Sequence, residues 1–84
     1  MSKKIQIAKF TAIFDPAEEG GYTVTVPSLP GCITEGDTFE EAVEMAKEAI
    51  ACYIGSLKKH DEPVPKGDSA SFAAVIDVPI PATP

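Results

Sequence analysis

The chain has 84 residues, of which 44% are hydrophobic and 24% are charged. This size and composition predict one globular domain with a thin core, covering residues 1–84. Thirteen acidic residues stand against seven basic ones, all of them lysine, and the formal net charge is −6. Because phosphate recognition depends on clustered lysine and arginine, this balance argues against nucleic acid and favours a basic protein as partner. A negative surface that serves only solubility is the alternative.

The sequence contains no long apolar run. A membrane-spanning helix needs roughly 18 or more predominantly apolar residues, and no stretch of this chain approaches that length. We therefore expect a cytoplasmic protein without membrane contact, whose two cysteines stay reduced. A core this small also favours sharing a face with a second copy or a partner.

The first two predicted elements form a β-hairpin. Residues 5–14 are rich in β-branched and aromatic side chains and lead into turn-prone residues at 15–16 and 20–21. Residues 22–26 alternate apolar side chains with threonines, which predicts a strand with one solvated face. The first strand is apolar on both faces, so the pattern places it at the centre of the sheet or beneath a partner.

A sharp turn and a third strand follow. Pro30 suits the first central position of a type II turn, and Gly31 supplies the positive φ that the second position requires. A short strand is predicted over residues 32–35, ending at Gly36 and Asp37.

The long helix is the clearest predicted element. Thr38 and Glu41 form a capping-box pattern, which predicts that the helix begins here. Lys58 and Lys59 at its far end complement the helix dipole. Apolar residues recur every three or four positions and predict one buried face, made of Phe39, Ala42, Val43, Ala46, Ala49, Ile50, Tyr53, Ile54 and Leu57.

The rest of the chain adds one more predicted strand. Residues 61–69 contain two prolines and a glycine and predict a loop. Residues 72–78 predict a final strand, and residues 79–84 predict an extended tail. The expected fold class is therefore α+β in the order β-β-β-α-β, with one helix packed on a small, mostly antiparallel sheet.

Acidic side chains are the most suggestive candidates for chemistry. Converging carboxylates can hold Mg²⁺ for phosphodiester hydrolysis, which keeps a residual metal-dependent nuclease open as an alternative. The acids concerned lie in predicted loops and turns, where such residues more often stay solvated, so we predict no metal site and no catalytic residue. They are Asp15, Glu18, Glu19, Glu35 and Asp37.

Nucleophilic catalysis has equally little support. Cys32 lies near the start of the predicted helix, whereas the only histidine, His60, lies beyond its far end, about 30 Å from that start. Cys52 adjoins the apolar face of the helix and is predicted to be a small packing residue. The glycines match no nucleotide-binding motif, and no cofactor is expected.

One stretch of the sequence resembles a known family. Residues 20–42 contain Gly-Gly-Tyr followed by the pattern P-x-L-P-G-C-x-T-x-G-D-T-x-E-E-A, which is similar to the hallmark of HicB-family antitoxins. The resemblance extends over residues 10–65, about two thirds of the chain. Its motif positions, for which turn and capping roles are expected, are Gly21, Pro27, Leu29, Pro30, Gly31, Cys32, Gly36, Asp37, Thr38 and Glu41.

The resemblance implies both a fold and a role. Domains of this family resemble a partial ribonuclease H fold, bind a small basic HicA ribonuclease toxin, and cover its RNA-cleaving surface. They commonly form dimers or larger assemblies, so the implied partners are a HicA-type toxin and further copies of this chain, in a dimer or tetramer. Many members continue into a C-terminal DNA-binding domain; this chain stops at Pro84, so direct DNA binding is not expected.

Six residues are the candidates for contact with such a partner. Tyrosine is enriched at interface hot spots, although a tyrosine at the edge of a core is the common alternative. The candidates are Asp15, Glu18, Glu19, Tyr22, Glu35 and Asp37. An orphan oligomeric domain with another ligand or partner remains the second possibility for the function.

Overall fold

The computed structural model describes residues 7–68 and 73–82. Three strands, β1 (Ile13–Pro16), β2 (Tyr22–Thr25) and β3 (Ile33–Gly36), precede one helix, α1 (Phe39–Lys59). The strands form an antiparallel sheet in the order β1-β2-β3. The predicted hairpin, the antiparallel sheet and the α+β class are confirmed.

The strand register separates the sheet into two unlike faces. Phe14, Val24 and Thr34 lie side by side across the sheet and face α1. Because successive strand residues point to opposite sides, their neighbours Ile13, Thr25 and Ile33 lie on the other side. One helix covers one face, and the second face is uncovered in the described part of the chain.

Two small clusters make up the core. In the first, Val24 packs against Ala42 and Ala46, so that the small helix residues let α1 approach the sheet closely. In the second, Leu29 and Val26 pack with Cys32, and Leu29 is fully buried. Burying a leucine side chain contributes about 2 kcal/mol, so Leu29 is a large single contribution in a domain of this size.

The turn before β3 carries Leu29 into the core. The Cys32 N–H donates to the Leu29 carbonyl at 2.9 Å, and Gly31 between them has φ +84°. Only glycine adopts this φ without strain, as the second central position of a type II turn requires. Pro30 lies at the first central position, so the predicted turn is confirmed.

The start of α1 follows the predicted capping pattern. The Glu41 N–H donates to Thr38 Oγ1 at 3.0 Å, and Thr38 has the extended backbone of an N-cap. The predicted apolar face contacts the sheet through Ala42 and Ala46, but Phe39 is 49% exposed instead of buried. Since Phe39 is the first residue of the helix, it projects past the edge of the core.

The first strand is much shorter than predicted. Residues 7–12 are not in a strand, and residues 5 and 6 lie outside the described residues. The ladder begins where Ile13 pairs with Thr25, because the partner strand ends there and turns through Pro27, which has no N–H to donate. Of the two placements predicted for this strand, the one at the centre of the sheet is wrong, since β1 is at an edge of the sheet in the described residues. Its coverage by a partner remains a prediction.

The predicted final strand is not formed in the described residues. Residues 73–78 carry no strand and are exposed, whereas Phe72, the first residue of the prediction, lies outside the described range. A suitable sequence becomes a strand only when its backbone finds a partner, and residues 73–82 have no ladder partner among the described residues.

The predicted loop after the helix returns the chain to the start of the sheet. The Asp68 N–H donates to the Lys9 carbonyl at 2.6 Å, and its carboxylate accepts from the Thr11 N–H at 2.5 Å. Gly67 has φ +109°, and a Cβ at this position would meet the Lys9 carbonyl oxygen at 2.8 Å. Donation from Thr11 lowers the pKa of the Asp68 carboxyl below its ordinary value.

Truncating the most buried side chain should destabilise the domain strongly. Leu29→Ala removes a fully buried side chain and is expected to lower the free energy of unfolding by about 2–4 kcal/mol. Met45→Ala, at an exposed position on α1, is the control and should cost about 1 kcal/mol or less. Chemical denaturation followed by circular dichroism measures both, and equal losses would contradict this description of the core.

Acid should remove the contribution of the Asp68 anchor. Because the folded-state pKa of Asp68 lies below its unfolded value of about 4, its ionised form stabilises the fold above that pH and stops doing so as the pH falls through the folded-state pKa. The melting temperature of the native chain should exceed that of Asp68→Asn at neutral pH, and the difference should shrink below about pH 4. A difference that stayed constant down to about pH 2 would contradict the anchor.

Candidate partner-binding surface

A row of acidic residues crosses the uncovered face of the sheet. Asp15 lies opposite Thr23, which lies opposite Glu35, so one residue from each strand contributes to the row. Neighbouring strands are about 4.8 Å apart, which sets the two carboxylate-bearing backbones about 10 Å from each other. Both acids are exposed. In the described part of the chain, the ion pair that does form joins Lys47 to Glu44 on the helix, away from this row.

A small cavity opens at the end of the sheet beside this row. It has a volume of about 180 Å³ and is rimmed by carboxylates from two different loops. Its lining residues are Ala17, Glu19, Gly20, Tyr22, Thr23, Glu35, Gly36 and Asp37. We call it the acidic cavity.

Two glycines bring the walls of the acidic cavity together. Gly21 has φ +80°, and a Cβ on it would lie 2.5 Å from the Gly36 carbonyl oxygen. A Cβ on Gly36 would in turn lie 2.5 Å from the Ala42 backbone nitrogen. A larger residue at Gly21 would therefore push the β1–β2 loop away from the end of β3, and one at Gly36 would push the first turn of α1 away from the end of β3. Sequence reasoning treated these glycines as turn residues, and their role in close backbone approach needed the fold.

Hydrogen bonds hold the two acidic loops in place. In the β1–β2 loop, the Ala17 N–H donates to the Gly21 carbonyl and the Gly20 N–H donates to the Ala17 carbonyl, both at 3.0 Å. At the other wall, the Asp37 N–H donates to Glu41 Oε1 at 3.2 Å. The side chain of Glu41 is thus part of the cap, which leaves Asp37 and Glu35 as the carboxylates facing the cavity on this side.

An aromatic cluster supports the cavity wall at Tyr22. The ring centroid of Tyr22 lies 6.4 Å from that of Phe14 and 6.2 Å from that of Phe39, both in edge-to-face geometry. The ring centroids of Phe14 and Phe39 are 4.9 Å apart. Aromatic pairs of this kind are worth about 1 kcal/mol each beyond their buried area. This cluster was not predicted, and the available signal was the position of Phe39 directly after the cap.

An apolar row lies next to the acidic one. Ile13 and Ile33 flank Thr25 across the uncovered face and are 44% and 62% exposed. We call this row together with the acidic row the open sheet face, which consists of Ile13, Asp15, Thr23, Thr25, Ile33 and Glu35. The sequence predicted a second apolar face for the first strand, which includes Ile13, but it did not predict that Ile33 lies in the same row, because that depends on the register of three strands.

The six predicted contact residues fall into three places. Glu19, Tyr22, Glu35 and Asp37 converge on the acidic cavity. Asp15 lies on the open sheet face, in the same row as Glu35. Glu18 is exposed in the β1–β2 turn and does not line the cavity. Their role in contacting a partner remains a prediction.

The groups considered for chemistry do not come together. His60 lies at the far end of α1, where its Nδ1 is 2.8 Å from the Ser56 carbonyl oxygen. Cys32 is buried, and burial raises the pKa of its thiol, which keeps it a poor nucleophile. Cys52 is exposed, so its predicted packing role is wrong. Residues 7–68 and 73–82 contain no group of three or more His, Cys, Asp or Glu side chains suited to a metal ion.

Within the described ranges, no helix combines the length and the apolar character needed to cross a bilayer.

Comparison with known proteins identifies the family. The model of the HicB_like antitoxin of bacterial toxin-antitoxin systems matches residues 10–79. A UPF0150 protein of Thermoplasma acidophilum is 51% identical over 61 residues, which cover 73% of this chain and 88% of the relative. Antitoxin HicB 1 of Photorhabdus laumondii is 38% identical over 61 residues, covering 73% of this chain and 39% of that protein.

A second protein named as a HicB antitoxin also matches this chain over part of its length. Antitoxin HicB of Escherichia coli is 33% identical over 57 residues, covering 68% of this chain and 41% of that protein. This chain therefore spans less than half the length of the two named antitoxins and most of the length of the UPF0150 relative. The family match covers more than half of the chain, and the chain belongs to the HicB-like antitoxin family of bacterial toxin-antitoxin systems.

Proposed function

We propose that this chain neutralises a basic HicA-type ribonuclease by covering the surface with which that toxin binds and cleaves RNA. The toxin partner follows from family membership, and the observation that carries the finer proposal is the acidic cavity with its adjoining acidic row. A protein that binds RNA must present cationic side chains to the phosphates. A partner that covers the same cationic surface needs the opposite charge, which the carboxylates of this region supply.

The placement of charge supports an electrostatic role for this region. Asp15 and Glu35 lie on the open sheet face, and Glu19 and Asp37 join Glu35 at the acidic cavity. Like charges gathered at one end of the sheet give that end a negative potential. This potential attracts a basic partner and favours its docking there.

The size of the cavity suits a side chain better than a small molecule. Its volume of about 180 Å³ is below the roughly 300–1,000 Å³ of typical small-molecule pockets. A single lysine or arginine from the toxin can enter it and meet the carboxylates at its rim. Tyr22 in its wall is held by Phe14 and Phe39 and offers a rigid surface for the aliphatic part of that side chain.

The apolar row of the open sheet face extends the contact beyond charge. Ile13 and Ile33 would pack against apolar groups of the toxin while the acids beside them meet its basic groups. An apolar row beside a charged row fixes the orientation of the partner. In a rotated complex, the isoleucines of this chain would face lysines of the toxin, and those lysines would lose their acidic partners. In this proposal the chain acts by occlusion and has no enzymatic role of its own.

Charge reversal at the centre of the site should weaken toxin binding. Glu35→Lys places a positive charge where the acidic row meets the acidic cavity, and we expect the dissociation constant for its HicA-type toxin to rise about tenfold or more. The association rate should account for much of the loss at low salt, and the difference from the native chain should shrink as salt rises. Surface plasmon resonance at several ionic strengths measures this.

The matched control is an acidic residue on the helix. Glu48→Lys makes the same change in net charge at an exposed position outside the acidic cavity and the open sheet face. It should alter the dissociation constant by less than about threefold. In cells, co-expression of the native chain and of Glu48→Lys should restore growth in the presence of the toxin, and Glu35→Lys should do so less well. Equal effects of the two variants would contradict this site, and absence of binding by the native chain would contradict the proposed function.

A further inference from the structure

Both cysteines of the chain line one groove on its surface. The groove has a volume of about 300 Å³ and lies between the turn before β3 and the C-terminal half of α1. Residues 31–33 form one wall, and Ala49, Cys52, Tyr53 and Ser56 form the other. Cys32 and Cys52 are far apart in the sequence and match no paired-cysteine motif, so it is the fold that brings the two thiols to one place.

The packing of α1 on β3 explains why the two cysteines meet. The chain reverses after β3, and the helix passes Gly36 at Ala42, where a Cβ on Gly36 would lie 2.5 Å from the Ala42 nitrogen. From Gly36 back to Cys32 an extended chain covers about 13 Å. The helix covers the same distance in about nine residues. Cys32 therefore lies level with residues 51 and 52 of α1.

The two thiols reach the groove from different sides. Cys32 is buried in the cluster that it forms with Val26 and Leu29, and it lines the groove from the core. Cys52 is exposed and open to solvent. Burial raises the pKa of the Cys32 thiol, and the charge of the Cys52 thiolate raises it further, as expected for two sulfurs close enough to sense each other.

The chemistry of the groove favours an uncharged link between the sulfurs. Its walls are mostly apolar, and none of the lining residues that the structure describes is a lysine, aspartate or glutamate. A thiolate is costly in such surroundings, whereas a disulfide has no charge to desolvate. Gly31 and Ala49 have no side chain beyond Cβ, which leaves space between the walls. Two sulfurs alone do not make the four-ligand set that zinc takes in structural sites.

We propose that Cys32 and Cys52 are a modification site, at which a small disulfide such as glutathione disulfide oxidises them to an intramolecular disulfide across the groove. In reducing surroundings both remain thiols, as expected from the sequence. The site is separate from the acidic cavity, and the inference does not depend on neutralisation of a toxin.

The oxidation takes two exchange steps. The thiolate of the exposed Cys52 attacks one sulfur of glutathione disulfide, which leaves a mixed disulfide on Cys52 and releases one glutathione thiolate. Cys32 then loses its proton and attacks the Cys52 sulfur, which forms the internal disulfide and releases the second glutathione. Two protein thiols are oxidised and one glutathione disulfide is reduced to two thiols. The second step tolerates a poor nucleophile, because its target is held beside it in the same chain.

The disulfide would join the two halves of the core. It closes a loop that contains β3 and the first part of α1, and it ties the turn that carries Leu29 into the core to the second half of the helix. Closing a loop of about 20 residues restricts the unfolded chain and favours the folded one. By the same linkage, the folded chain should form the bond more readily than the unfolded chain.

Glutathione redox buffers test the proposal with the full-length chain alone. After acid quenching, mass spectrometry of the native chain should show a species lighter by two hydrogen atoms, and peptide mapping should join Cys32 to Cys52. The equilibrium constant for oxidation should be about 100-fold larger in the folded chain than in about 8 M urea. The oxidised chain should also melt about 10 °C above the reduced chain.

Two variants separate the steps. Cys32→Ala should stop at a mixed disulfide between Cys52 and glutathione, and Cys52→Ala should react many times more slowly than the native chain, because the remaining thiol is buried. Three results would each overturn the proposal: a native chain that stops at the mixed disulfide on Cys52, a product that links two chains, or an equilibrium constant no larger in the folded chain than in urea.

Discussion

The close approach of Gly36 to Ala42 is the constraint on which the rest of the structure depends. A Cβ at Gly36 would stand 2.5 Å from the Ala42 nitrogen, so the end of β3 and the first turn of α1 touch through backbone alone. This contact sets the depth at which the helix packs on Val24 and the angle at which the chain leaves the sheet. It also places Asp37 and Glu35 beside the β1–β2 loop, because Gly21 meets the Gly36 carbonyl from the other side. The acidic cavity therefore depends on two glycines, Gly21 and Gly36, whose lack of a side chain allows these backbone contacts.

Local signals in the sequence predicted the elements whose structure is decided locally. The cap at Thr38, the turn at Pro30 and Gly31, and the alternation from Tyr22 onward depend on neighbours within four residues, and all three are confirmed. The motif on which the resemblance to HicB-family antitoxins rested includes the residues of this turn and this cap.

The errors concern features that depend on distant partners. Residues 7–12 have the composition of a strand, but the opposing strand ends at Thr25, so they have no strand partner among the described residues. The strand predicted over residues 72–78 fails in the described residues for the same reason. Phe39 has the correct helical period for burial, yet it lies at the end of the helix, where the core has ended. Periodicity reports which face a residue occupies and does not report whether anything covers it.

For the candidate site as well, the sequence predicted the residues but not how they come together. Composition indicated an acidic protein with a basic partner, and the candidate acids were named from their positions in turns. Their convergence on one cavity could not be predicted, because it requires the register of three strands and the contacts of Gly21 and Gly36. The apolar row beside them, Ile13 and Ile33, follows from that register as well. Fold and site are thus linked by the same few backbone contacts.

In the proposed complex, the acidic end of the sheet, and not the helix, contacts the toxin. Titrating the ¹⁵N-labelled chain with unlabelled HicA-type toxin and following the amide resonances tests this most directly. We expect the largest shifts at Glu19, Tyr22, Glu35 and Asp37, with neighbouring changes across the open sheet face. Shifts concentrated instead on the exposed side of α1, around Glu44 and Glu48, would contradict docking of the toxin at the acidic end of the sheet.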